Sequence, residues 1–235
     1  MKKIRVRMTF TEGILGSLSS DPEIYKNYIA SKAPNNELMD EEAELMASNA
    51  ATDDFDRGIT VFAKEDGKPF LYDYVIKGFF KNACSGLRMV DGTRSSKIKA
   101  YKKIIDNTVF IDERKLFINY EGDITFCERP LRGQTAQGER IALACSEEIA
   151  AGASIECTIT TFVDDNLDLI KEWLNYGAFN GLGCWHNSGK GRFRWEEIST
   201  ENAGVACSTK TDNTESSEPS KKKGGRKKKE IDNIV

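Results

Sequence analysis

Tyr176–Trp195, YGAFNGLGCWHNSGKGRFRW, decides how the rest of the chain is read. It holds five glycines (Gly177, Gly181, Gly183, Gly189 and Gly191), two tryptophans, the chain's only histidine, His186, and the basic residues Lys190, Arg192 and Arg194. Glycine at this density lets a backbone adopt turns closed to other residues and pass close to another surface. Aromatic and guanidinium groups set among the glycines suit stacking on bases and pairing with phosphates. A glycine-rich turn carrying core aromatics has the same composition, so the flanking segments must decide between the two.

Immediately before this stretch, Asp164 or Asp165 is placed to cap a helix running to about Tyr176, with Leu167, Ile170, Trp173 and Leu174 on its inner side. After it, residues 191–198 alternate as a last strand. At the other end of the chain Ile4, Val6, Met8 and Phe10 alternate with Lys3, Arg5, Arg7 and Thr9, the pattern of a half-buried strand. Residues 58–62 and 70–72 read as a hairpin around a Lys64–Pro69 turn. Asp73 caps a helix to about Met89, with Val75, Ile76, Phe79, Phe80, Ala83 and Leu87 on its apolar side. Strands follow at about 108–111, 115–120, 124–128, 140–145 and 154–163, the last two joined by an Ala/Gly turn. Stripped of its hairpins, the order is β-α-β-β-α-β, a ferredoxin-like (RRM-like) α+β core.

Composition divides the chain further. Its 235 residues, 39% hydrophobic, suit one domain over residues 1–200. Within it, residues from about 16 to 57 form a helical insertion. One helix starts at Asp21-Pro22, and a second, over residues 36–51, leads into an acidic run from Glu37 to Asp56. From 201 to 235 almost nothing is apolar, and Lys221, Lys222, Lys223, Arg226, Lys227, Lys228 and Lys229 cluster there. That composition cannot offset the entropy of ordering and predicts a disordered Lys-rich tail. The net charge of −3 hides this segregation, which points to a polyanion contact. No apolar run approaches the roughly 20 residues of a membrane-spanning helix, so a cytoplasmic protein with no membrane partner is expected. The six cysteines form no CxxC pair, and most of them read as small buried hydrophobes. No metal site and no cofactor is expected.

These segments resemble the RAMP superfamily, in particular the RNA-binding backbone subunits of CRISPR effector complexes. Gly181-Leu182-Gly183 and Gly189-Lys190-Gly191-Arg192-Phe193 are similar to that family's glycine-rich loop after the second helix. Pro69-Phe70-Leu71-Tyr72 followed by Val75-Ile76-Lys77-Gly78-Phe79-Phe80-Lys81 is similar to its strand and Lys-Gly helix, with Lys81 where an arginine is usual. Residues 140–162 share its rhythm of charged strand, glycine turn and alternating strand. Asp73-Tyr74-Val75 replaces the usual small residues, and the acidic insertion is an addition. The resemblance implies binding of single-stranded RNA, or DNA, with subunits repeating along the strand or joining CRISPR-type protein partners. A stand-alone protein of this kind also fits a phage or another mobile element.

On that reading Lys77, Lys81, Arg88, Lys190, Arg192 and Arg194 contact phosphates. Trp185 and His186 stack on bases, and Gly181, Gly183, Gly189 and Gly191 let the strand pass closely. Two other readings stand beside it. An endoribonuclease would use His186, whose ordinary pKa suits proton transfer near neutrality, or an aspartate among Asp53, Asp54 and Asp56. A phage-encoded mimic of a CRISPR subunit would act by protein–protein contact through the acidic insertion and lysine tail.

Overall fold

The N-terminal alternation becomes β1 (Lys2–Phe10), the strand around which the core is assembled. Ile4, Val6, Met8 and Phe10 are buried, while Lys3, Arg5 and Thr9 face outward and are exposed. β1 pairs antiparallel with β11 (Ser154–Thr161) on one side and β12 (Phe193–Glu197) on the other. β11 in turn pairs with β7 (Val109–Ile111), giving the sheet order β12-β1-β11-β7. The register sets Ile4 opposite Ile159, Val6 opposite Cys157 and Met8 opposite Ile155, so the inner face is apolar throughout. The structure, a computed structural model, describes residues 1–21, 59–135, 138–163 and 166–198. All of these belong to one compact unit, Met1–Thr200.

Two helices cover that apolar face. The first, α1 (Asp73–Leu87), buries Ile76, Phe79, Phe80, Ala83 and Cys84; α2 (Tyr101–Thr108) is a short helix leading into β7. α3 (Asn166–Tyr176) buries Leu169, Ile170, Trp173 and Leu174. Phe80 lies 5.6 Å from Trp173 and joins α1 to α3; Phe79 lies 5.2 Å from Phe193 and joins α1 to β12. Trp173 is fully buried, and its indole N–H donates to Ser95 Oγ at 3.0 Å. That bond satisfies the one polar atom its burial would otherwise strand.

Two further sheets, of five and three strands, complete the fold. One is a long hairpin of β9 (Thr125–Thr135) and β10 (Gly138–Ile149), to which β2 (Ile14–Leu15), β4 (Ile59–Val61) and β3 (Leu18–Ser19) attach. The other joins β5 (Ala63–Glu65), β6 (Lys68–Tyr72) and β8 (Lys115–Phe117). The protein is therefore α+β. Among the described residues no helix is long and apolar enough to cross a membrane.

Several sequence expectations are corrected here. Residues 140–145 and 154–163 do not form a hairpin with each other: β10 pairs with β9, and β11 leaves for the central sheet. Ile155, Cys157 and Ile159 are all buried, which only a place beside β1 allows. Residues 58–62 are not the first arm of the Lys64–Pro69 hairpin either. β4 pairs parallel with β10, and the hairpin is β5–β6 around Asp66-Gly67. The Gly16–Ser20 stretch contains the short strand β3 as well as loop. Asp73 is the first residue of α1, with Tyr72 at the cap position. Its carboxylate pairs with Arg114. The two helices and acidic run of the insertion, the Asp164 or Asp165 cap and the lysine tail lie outside the described residues.

The outer face of the central sheet is a ladder of ion pairs: Lys3 with Asp112, Arg5 and Arg7 with Glu156, and Arg7 with Glu196. Arg7's hydrogen bonds hold the Glu156 carboxyl below its usual range; partial burial opposes them and charge attraction adds to them. A depressed carboxyl contributes stability above its unfolded value, about 4.3, which is lost as pH falls through its folded value. Chemical denaturation from pH 7 to 3 therefore shows a smaller acid-induced loss for Glu156→Gln than for the wild type. Parallel curves for the two proteins refute this assignment.

Candidate nucleic-acid interface

The glycine segment leaves α3 and doubles back on itself before entering β12. Leu182 N–H donates to Gly191 O at 2.9 Å, and Gly191 N–H donates to Gly13 O at 2.8 Å. At this crossing a Cβ on Gly181 would lie 2.2 Å from Lys190 O, and one on Gly191 would lie 2.1 Å from Leu182 O. No side chain fits there. The close approach these two glycines permit is thus between two runs of this chain. Leu182, between them, is buried in the core.

What the crossing displays is a turn facing α1. Tyr74, Gly78 and Asn82 succeed one another four residues apart on one side of that helix. With Val75, Ser17, Leu18, Gly181, Gly183, Cys184 and His186 they line an open cleft of about 470 Å³. His186 is half-buried and held at both ring nitrogens: Nδ1 is 3.0 Å from Gly183 O and Nε2 3.1 Å from Asn82 Nδ2. A carbonyl only accepts, so Nδ1 carries the proton and Nε2 accepts from the Asn82 amide. The Tyr74 ring stacks on Tyr72 at 5.2 Å. Apart from His186, the lining has no ionisable side chain other than Tyr74 and Cys184, and burial pushes the Cys184 thiol up.

Gly78 stands out on this wall. It is exposed in the middle of α1, and a Cβ built on it meets nothing within 4 Å. A helix-interior glycine costs about 0.5–1 kcal/mol relative to alanine. No packing in the described protein requires it.

The cations expected to act together are distributed over three surfaces. Lys77 and Lys81 each precede a cleft residue by one position, and so lie roughly 100° around α1 from it. Lys77 Nζ sits 4.4 Å over the Phe110 ring, where burial lowers its pKa against the opposing pull of Asp73 and Asp106. Lys81 pairs with Asp106 at 2.5 Å, and the Arg88 guanidinium lies over Tyr101 at 5.1 Å. All three are thus engaged by α2, β7 or their flanks. Arg194 is exposed on β12, opposite Thr9, on the outer face of the sheet. Strand alternation sends it away from its inward neighbour Phe193 and from the cleft.

Lys190 is paired with Glu148 at 2.5 Å. The Arg192 guanidinium packs beside Gly189, its Nε buried without a partner. Trp185 is 38% exposed, in the left-handed region at φ 56°, with the Arg129 guanidinium 5.1 Å from its ring. Asp53, Asp54 and Asp56 lie outside the described residues. Among the described residues no group of three or more His, Cys, Asp or Glu side chains is placed to hold a metal ion.

Three contributors were missed in the sequence. Tyr74 and Asn82 were passed over because a helix wheel without its partners marks them only as solvated. Arg129 reads as the end of a strand, with no signal that it is buried.

No protein-family model matches the chain, and no curated protein matches it. Among solved structures, a chain of the Type III-B Cmr-beta complex bound to cognate target RNA is similar over 84% of this protein, with 13% identity and a TM-score of 0.42. This protein spans 60% of that chain's length. A chain of a Type IV-B CRISPR complex is similar over 89% of this protein and 96% of its own length, with 9% identity and a TM-score of 0.42.

The two kinds of glycine are separated by thermal or urea unfolding. Gly181→Ala loses at least about 1–3 kcal/mol, the ordinary cost of overpacking, because only backbone surrounds it. Gly78→Ala gains about 0.5–1 kcal/mol. A destabilised Gly78→Ala would show that the fold, not a ligand, needs that glycine.

Proposed function

We propose that this protein binds single-stranded nucleic acid, RNA in preference to DNA, as a RAMP-type protein on a ferredoxin-like core. The core assignment is supported by the order β12-β1-β11-β7, all neighbours antiparallel, with α1 and α3 on one face. The binding site is the cleft between α1 and the glycine loop. The observation that carries this reading is Gly78, bare and exposed in a helix at the cleft wall, where no packing among the described residues requires a glycine. Flat Tyr74 and His186 faces and the Asn82 amide suit a base. Arg192, beside the glycine turn with its Nε unpartnered, suits a phosphate next to that base.

The outer face of the central sheet fits this role poorly, since Lys3, Arg5 and Arg7 there are already paired with carboxylates. Fluorescence anisotropy with labelled single-stranded RNA and DNA, taken over a salt series, tests the site. Gly78→Leu weakens RNA binding about tenfold or more while the melting temperature holds or rises. Arg192→Ala lowers the slope of log K against log salt by roughly 0.7, the single-strand value for one phosphate. Unchanged binding in Gly78→Leu removes the cleft from consideration. Loss of all binding on truncation at Ala203 assigns it to the tail instead.

Repetition along the strand has its own support in the β9–β10 hairpin. Phe126, Leu131, Ile141 and Leu143 are 46–68% exposed on it and form an apolar arm among the described residues. On a long single strand, Ile141→Glu with Leu143→Glu converts cooperative binding into independent binding without changing affinity for a short oligonucleotide. Identical binding isotherms for variant and wild type on the long strand end this part of the reading.

A further inference from the structure

Arg129 carries a positive charge that the described protein leaves unanswered. It lies on β9, 7% exposed. Its Nη1 donates to Ser146 Oγ at 2.9 Å, and Ser146 Oγ is 2.5 Å from Thr60 Oγ1. Ser146 is itself fully buried. The Nε of Arg129 is buried with no hydrogen-bond partner. Several half-buried cations of the described protein have a carboxylate, Lys64 with Glu147, Arg114 with Asp73 and Lys190 with Glu148, whereas Arg129 and Arg192 are paired with none. Among the described residues Arg129 has none; the Trp185 ring lies over it, at 5.1 Å. An aromatic face answers a guanidinium charge less fully than an oxyanion does, and a buried unpaired charge is costly.

The cover is itself unusual. Trp185 is a bulky residue in the left-handed region, held there in a short turn between Gly183 and Gly189. Residues with large side chains are rarely found at positive φ, and such strain concentrates where a ligand is engaged. Trp185 is also partly exposed, so the turn that carries it forms the boundary between Arg129 and solvent.

We propose that Arg129, with the hydroxyls of Ser146 and Thr60 behind it, is a phosphate subsite for a single-stranded nucleic acid, and that Trp185 is its displaceable cover. A phosphodiester oxygen takes the place of the ring over the guanidinium. The indole swings out on its turn and stacks on the neighbouring base. This rests on the nucleic-acid reading of the cleft and adds a contact next to it, on β9, that the glycine loop alone does not supply.

Two measurements on the full chain test it. In the first, melting temperatures are compared in sodium phosphate and in sodium chloride at equal ionic strength. Phosphate raises the melting temperature of the wild type, and raises that of Trp185→Ala further because the guanidinium is uncovered. Arg129→Met shows no phosphate-specific rise. In the second, a single-stranded RNA oligonucleotide is titrated over a salt series, with Trp185 emission taken as the wild type minus Trp185→Phe. Arg129→Met lowers the slope by roughly 0.7 and abolishes the emission change. If Arg129→Met does not fold, Trp185→Ala decides alone, since absence of a phosphate-specific rise there overturns the subsite. A phosphate effect with an unchanged RNA slope in Arg129→Met also overturns the proposal, by assigning the site to free phosphate. Gly78→Leu keeps the two readings apart: if it still loses RNA binding while Arg129→Met keeps its slope, the cleft stands and the subsite falls.

Discussion

The backbone crossing of Gly181 and Gly191 is the constraint on which the candidate site depends. Two runs of chain pass within hydrogen-bonding contact there, and a third, at Gly13 beyond the end of β1, bonds to the same point. Leu182 is thereby pinned in the core under α1, and Phe193 enters β12 in register with Phe10. Between these pins the residues from Gly183 to Gly189 have one way out, toward α1. The turn therefore stands on two fixed ends in the core, which is how a loop of small residues acquires a defined shape.

Charge then separates the surfaces. Where β1, β11 and β12 face outward, every described arginine of β1 meets a carboxylate, so the sheet face is close to neutral and salt-bridged. Along α1 the lysines lean toward α2 and β7 and are partly answered by Asp106 and Phe110. Arg129 and Arg192, beside the glycine turn, keep nitrogen atoms that no acceptor meets. Such atoms in a dry setting favour an incoming anion more than exposed lysines do, because less water must be displaced and less screening intervenes. His186, Asn82 and Tyr74 line the cleft between, so the paired and buried cations sit at its margins and flat or amide groups sit inside.

Much of the core was legible before any coordinates. The period of two in Ile4, Val6, Met8 and Phe10 and the helical spacing of Leu167, Ile170, Trp173 and Leu174 are local records of burial, and both elements occur, with Leu167 half-buried and Leu169 a further buried position. The helix from Asp73 was also legible, ending at Leu87, two residues before the expected Met89. Strand partners were not. β4, β9 and β10 carry short mixed patterns compatible with several neighbours, and their pairing is settled by which partner completes a face elsewhere in the molecule.

The amino-acid sequence by itself determined the main strands and helices, β1, α1, α3 and β12, most of the residues they bury, and that the glycine segment is special, because each follows from nearest-neighbour spacing and backbone chemistry. Only the tertiary structure decided what the special residues do. It turned Gly181 and Gly191 into a self-crossing and left Gly78 bare at a cleft. It drew Lys77, Lys81, Arg88 and Arg194 away from the loop and placed Arg129, some fifty residues earlier in the chain, beneath Trp185. The reason is that contacts between residues far apart in the chain depend on sheet pairing and helix crossing, which no local pattern records.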